Sequence, residues 1–137
     1  MRLDYAFICD YAEVTGKVNA MGIGFEVIYA PRVPAKHRFF YLVAQFRASS
    51  VEAGEKKLTV NLIDEDGHDV IPAVQGPLPV PRPAEGIETV ARIALEFNGV
   101  EFPRYGSYSV HVLLDGAEMA RIPFKVSPPP SPPQPQG

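Results

Sequence analysis

Leu58-Thr59-Val60-Asn61-Leu62-Ile63-Asp64-Glu65-Asp66-Gly67-His68-Asp69-Val70 reads as a strand, a tight turn and the start of a return. Leu58, Val60 and Leu62 alternate with Thr59 and Asn61, the period of a half-buried strand. Pairing Leu62 with Val70 keeps both on the inner face. That register leaves Glu65-Asp66-Gly67 as the loop, with Gly67 in its last, left-handed position, the geometry of a type I turn closed by a glycine bulge.

The alternation extends in both directions. Downstream, Thr89, Ala91, Ile93, Leu95 and Phe97 face inward, with Glu88, Arg92 and Glu96 outward. Phe102-Pro103-Arg104-Tyr105-Gly106 forms a corner, and Tyr108, Val110, Val112 and Leu114 make the next inner face. Ala120, Ile122, Phe124 and Val126 return antiparallel to it. Asp115-Gly116 has the composition of a two-residue turn, but such a loop would oppose Val110 to Arg121 and expel Ile122 and Phe124. An odd loop restores the match, so a bulged three-residue turn is expected. Pro123 cannot donate to a ladder, which marks its strand as an edge or as locally irregular.

Upstream, Phe40, Leu42, Ala44 and Phe46 form one inward face. Before them, Leu3, Tyr5, Phe7, Cys9 and Tyr11 alternate with smaller or polar residues, as do Met21, Ile23, Phe25, Val27 and Tyr29. A three-residue loop at Thr15-Gly16-Lys17 pairs Val14 with Val18, Cys9 with Ile23 and Phe7 with Phe25. This register puts all ten large residues on one side and Cys9 in the core. The segments around Pro31 and Pro34, from Ser49 to Lys57, and from Pro72 to Gly86 read as loops, the last as an ordered crossover between sheets.

The expected fold is therefore all-β: a two-sheet antiparallel β-sandwich of about eight strands, immunoglobulin-like in architecture. It spans residues 1–126. Residues 127–137, Ser-Pro-Pro-Pro-Ser-Pro-Pro-Gln-Pro-Gln-Gly, form a disordered or polyproline II tail.

Composition narrows the function. The chain has 137 residues with a net charge of -3, and acids and bases are interleaved. A nucleic-acid binder would show a basic stripe. No apolar run approaches the ~20 residues of a membrane span, and the opening residues lack the apolar core of a secretory signal. One cysteine cannot form an internal disulfide, so a cytoplasmic location is expected.

Candidate chemistry is sparse. The turn Asp64 to Asp69 places alternate carboxylates where calcium could bind, but a solvated hairpin turn needs the same residues. His37, His68 and His111 are scattered over loop, turn and outward strand positions without the paired spacing of a zinc site. Cys9 reads as a core thiol rather than a nucleophile. Gly22 and Gly24 leave a flat strand face opposite Ala6 and Ile8, which another segment covers or a partner meets. Tyr105 or Tyr108 is placed to bond back to the chain at the corner, as in immunoglobulin-like domains. Pro129 to Pro132 and Pro130 to Pro133 have Pro-x-x-Pro spacing without a flanking basic residue. No catalytic, cofactor or metal residue set emerges.

The opening Asp4-Tyr5-Ala6-Phe7-Ile8-Cys9-Asp10-Tyr11-Ala12-Glu13, the stretch from Ile28-Tyr29-Ala30-Pro31 to Pro34-Ala35, and Asp64 to Gly67 resemble a family of short bacterial proteins of unknown function. Gly106-Ser107-Tyr108, Asp115-Gly116 and Arg121-Ile122-Pro123-Phe124-Lys125-Val126 complete that resemblance, which implies a bacterial origin and carries over no known activity. The expected function is a non-enzymatic interaction or structural module that binds a protein partner, or itself, through a sheet face or an edge strand. The alternative is a small-ligand or calcium-binding module using the Asp64–Asp69 turn.

Overall fold

The computed structural model describes residues 1–84 and 86–131. Within them the chain is all-β, with ten strands and one 3-10 turn at Ser50–Glu52. The strands are β1 (Arg2–Cys9), β2 (Tyr11–Val14), β3 (Val18–Met21), β4 (Val27–Tyr29), β5 (Ala35–Ala48), β6 (Gly54–Asp64), β7 (Val74–Val80), β8 (Thr89–Phe102), β9 (Gly106–Leu114) and β10 (Ala117–Ser127). They form three sheets rather than two: β1-β5-β8, β4-β10-β9-β6-β7, and the hairpin β2-β3. No helix among these residues is long and apolar enough to cross a membrane.

One large core joins the two larger sheets. Phe40, Leu42, Ala44 and Phe46 of β5 are fully buried, as alternation requires, and they meet Val60 and Leu62 of β6 and Val110 and Val112 of β9. Phe124 of β10 sits in an aromatic cluster with Phe25, Phe40, Phe102 and Tyr108. Each fully buried side chain of this size contributes about 2–3 kcal/mol of transfer free energy, so this cluster anchors the fold.

The turn after Leu62 forms as expected. Val70 donates to the Leu62 carbonyl at 2.9 Å, and Gly67 has φ +83°. The turn after Leu114 does not. Asp115 and Gly116 are a true two-residue loop with φ +48° and +85°, and Leu114 pairs with Ala117. Parity is repaired inside β10 by a bulge between Glu118 and Ala120, so Ala120 opposes Val112 and Ile122 opposes Val110. The odd residue is Met119, not a third loop residue.

The crossover expected from Pro72 to Gly86 contains β7, which pairs with β6 from Gly54↔Val80 to Val60↔Val74. Pro77 and Pro79 are tolerated because β7 is the outer strand of its sheet. The loop expected from Ser49 to Lys57 is likewise replaced by the 3-10 turn and the first residues of β6. Pro123 lies where β10 has β9 on one side only, and β4 joins in parallel from Lys125 onward. Ser127, assigned to the tail, still pairs with Tyr29; the tail beyond Ser131 lies outside the described residues.

The largest correction concerns the N-terminal third. Val14 does pair with Val18, but the hairpin stops at Tyr11↔Met21, and β1 pairs with β5 instead of continuing it. A bulge between Leu3 and Tyr5 then puts Ala6 and Ile8, not Phe7 and Cys9, on the main-core face. Ile28 is buried, whereas Met21, Ile23 and Tyr29 are exposed. The ten large residues do not share one side.

Candidate interaction surface

The outer face of β1-β5-β8 explains that failure. Tyr5, Phe7, Cys9, Tyr41 and Val43 point away from the main core and are partly roofed by the β2-β3 hairpin. Cys9, Ala12 and Val43 make a small second core beneath it. Cys9 is buried, as expected, but in this second core. Its Sγ donates to the Tyr11 carbonyl at 3.4 Å, and burial pushes its thiol pKa up, which leaves it inert.

A polar network pins the hairpin down. Gln45 is 7% exposed, and its Oε1 accepts from Tyr5 Oη at 3.0 Å and from Arg92 Nε at 2.6 Å. Its Nε2 donates to Asp4 Oδ2 at 2.8 Å. Arg92 Nη1 donates to the Gly16 carbonyl at the hairpin tip, at 3.2 Å. Arg47 closes the far side; its hydrogen bond, followed by that of Gln45, holds the Asp4 carboxyl below the usual range. At the other end, Gly22 and Gly24 turn the chain with φ +67° and +77° rather than continuing a strand. The Gly24 N–H reaches the Ile8 carbonyl at 2.9 Å, and a Cβ on Gly22 would strike the Asp10 carboxylate.

The roof is incomplete. A shallow, largely apolar groove of about 640 Å³ runs between the hairpin and β1, lined by Tyr5, Phe7, Tyr11, Val18, Ala20, Met21 and Ile23, with Glu13 and Asn19 as its polar members. Tyr5 and Phe7 stack at 5.8 Å, and Tyr11 packs edge-on to Tyr41 at 5.3 Å. Met21 is 69% exposed and Ile23 59%. Sequence patterning assigned these side chains to the interior, so it found an apolar surface without recognising it as one.

The acidic turn carries bonds of its own. Asp64, Asp66 and His68 do place ligand atoms within 4.8 Å of one another. Yet Asp64 Oδ1 accepts from the backbone N–H groups of Asp66 and His68, both at 2.9 Å. Arg104 Nη2 lies 3.1 Å from Asp64 Oδ2 and 3.3 Å from Asp66 Oδ2. The His68 N–H first, then that of Asp66, with the charges of His68 and Arg104 adding, lowers the Asp64 pKa. Arg104 thus pairs with both carboxylates of the turn.

At the corner, Tyr108 Oη donates to the Arg104 carbonyl at 2.6 Å, and Tyr105 Oη donates to the Ala30 carbonyl at 2.8 Å. His37 lies in β5, not a loop, against Phe40, and burial lowers its pKa. His111 faces outward on β9 as expected, and its contacts form a constellation the sequence reading missed. Its Nε2 is 2.8 Å from Ser109 Oγ, and its Nδ1 contacts Glu118 Oε1. The order is that of a nucleophile, a base and an orienting acid. Ser109 is 6% exposed, with Ile63 and Pro123 opposite it on the flanking strands. Glu118 reaches His111 as a diagonal neighbour, because the two-residue turn pairs it with Leu113, two residues from His111 on the same face; the three-residue turn expected from the sequence put Glu118 on the other face.

Residues 4–127 match DUF6941, a family of unknown function. Among curated proteins no match is found. Among solved structures, the chain is similar to the Pseudomonas fluorescens alkylpurine DNA glycosylase AlkC bound to DNA containing an abasic site analogue, at 17% identity and a TM-score of 0.39. That similarity covers 89% of this chain and 30% of the glycosylase.

Proposed function

The chain belongs to the DUF6941 family of unknown function, and from that premise we propose that it is a non-enzymatic protein-interaction module. The observation that carries this reading is the groove between β1 and the hairpin, where Met21 and Ile23 stand in solvent beside an aromatic floor. Contiguous exposed apolar surface of this kind marks contact sites. The fitting partner presents an apolar protein segment, with Tyr5 and Tyr11 supplying large contact area at low entropic cost. In this reading the two larger sheets are an immunoglobulin-like sandwich, the hairpin is an addition that carries the site, and the Pro-rich segment is a passive tail or linker. The module works in the cytoplasm, where its single thiol stays reduced. The calcium alternative is less favoured because Arg104 competes for Asp64 and Asp66.

A photo-crosslinking residue at Ile23, in a cell of the source type, tests the proposal. The expected result is a discrete adduct that disappears when Met21 is changed to Glu. Adducts that survive Met21→Glu, or none at all, overturn the groove as the site. Stoichiometric labelling of Ser109 by a fluorophosphonate would overturn the non-enzymatic reading.

A further inference from the structure

The orders β1-β5-β8 and β4-β10-β9-β6-β7 leave β1, β8, β4 and β7 as outer strands. An outer strand offers unpaired N–H and C=O groups to other chains, and proteins blunt such edges with prolines, lysines, bulges or short length. Three of these edges are blunted. β7 carries Pro77 and Pro79; β4 has 3 residues, and the stretch of β10 that it leaves open carries Pro123. β1 has the bulge between Leu3 and Tyr5 and is engaged at Ile8 by Gly24. β8 is different: it runs 14 residues from Thr89 to Phe102 with neither proline nor lysine. Gly99, at φ +65°, interrupts it only near its end.

We propose that β8 pairs antiparallel with β8 of a second copy of this chain, about a two-fold axis through Ala94. Opposed residues in an antiparallel pair share a face. The core-facing sides of both copies therefore stay on one side only if the axis passes through a residue. On Ala94, it sets Arg92 opposite Glu96 of the second copy, and the reverse by symmetry. On the inner face it sets Ile93 opposite Leu95. Moving the axis to Arg92 or to Glu96 opposes like charges, and moving it to Ile93 or Leu95 leaves both charges facing uncharged residues. Charge pattern thus selects one register, which is what cross-strand charges do. Glu96 and Ala94 are exposed. The dimer joins the two three-stranded sheets into one continuous sheet. It does not use the groove, so the two proposals stand or fall separately.

The test uses the full chain. Light scattering should give twice the 15.0 kDa chain mass. Glu96→Arg, at an exposed position, should raise the dimer dissociation constant by roughly tenfold or more, because it opposes two pairs of like charges. Ala94→Cys should crosslink to itself on mild oxidation. Opposed Cα atoms lie about 4.5–5.5 Å apart, within disulfide range, and the native Cys9 is buried. Asn98→Cys should not crosslink, because Val90 opposes it. A chain of monomer mass at every concentration overturns the proposal. So does a dimer that ignores Glu96→Arg, or one in which Ala94→Cys crosslinks no faster than Asn98→Cys.

Discussion

Single residues decide more here than their sequence neighbourhoods suggest. Asp64 is legible as a turn residue because Gly67 follows at the spacing a glycine bulge requires. Its partner Arg104 is not legible, since forty residues separate them and only the corner before β9 brings them together. The same holds for Glu52, whose pKa is lowered to about 2, first by the Met1 amine and then by the Ser49 N–H. Asp4, Glu52 and Asp64 all have folded-state pKa values below their ordinary ones. The unfolded chain therefore binds more protons in acid, and stability falls as pH falls. The contribution is fully present above the ordinary carboxyl values and is lost through the folded ones. For Glu52 the window runs from 4.5 down to about 2. Melting temperature should begin to fall as pH drops through the ordinary histidine value, because burial makes the folded His37 harder to protonate than the unfolded one, and should fall further through that carboxyl window. Asp64→Asn should lower it at neutral pH and narrow the acid-induced drop. A variant that melts with the wild-type pH profile contradicts the role given to the turn.

At the level of elements, alternation located β5, β6, β8, β9 and β10 and gave their inner faces, because each has one face in the main core. It failed for β1 for a physical reason: the outer face of the first sheet is also roofed, so large residues on either parity find cover. β7 was hidden because its prolines are acceptable only on an outer strand, a fact of topology rather than of composition. The β9-β10 connection shows how a correct parity argument reached a wrong loop. The register Ala120↔Val112 is right, but a bulge supplies the odd residue. Deleting Met119 should therefore leave every pair from Ala120 to Val126 in place and cost roughly 1–2 kcal/mol for its partly buried side chain. Deleting Val110 should abolish folding, because β9 pairs on both sides and both registers would slip. Denaturant melts of the two deletions decide the matter: equal losses would show that the bulge does not absorb the change.

For the molecule as a whole, two cores of unequal size imply two levels of stability. The main core holds Ile8, Phe40, Leu42, Ala44, Phe46, Val60, Leu62, Phe102, Val110 and Val112 at full burial, whereas among the described residues the second holds only Cys9 and Val43 so, with Ala12 slightly exposed. The hairpin is tied down instead by the Gln45 network and its Arg92 link to Gly16. Local opening with a free energy well below global unfolding follows. Native-state hydrogen exchange should show the Tyr11–Val14 and Val18–Met21 amides exchanging through such an opening, while those of Phe40 to Phe46 exchange only on global unfolding. Gln45→Ala takes from Tyr5 and Arg92 their shared acceptor and from Asp4 a donor, which destabilises the folded state. That loss lowers the free energy of hairpin opening and of global unfolding alike: both sets of amides should speed by a similar factor, with the gap between them preserved. If the hairpin amides of the unaltered chain are protected as strongly as those of β5, the molecule is one cooperative unit, and the groove is a rigid surface rather than one whose wall opens.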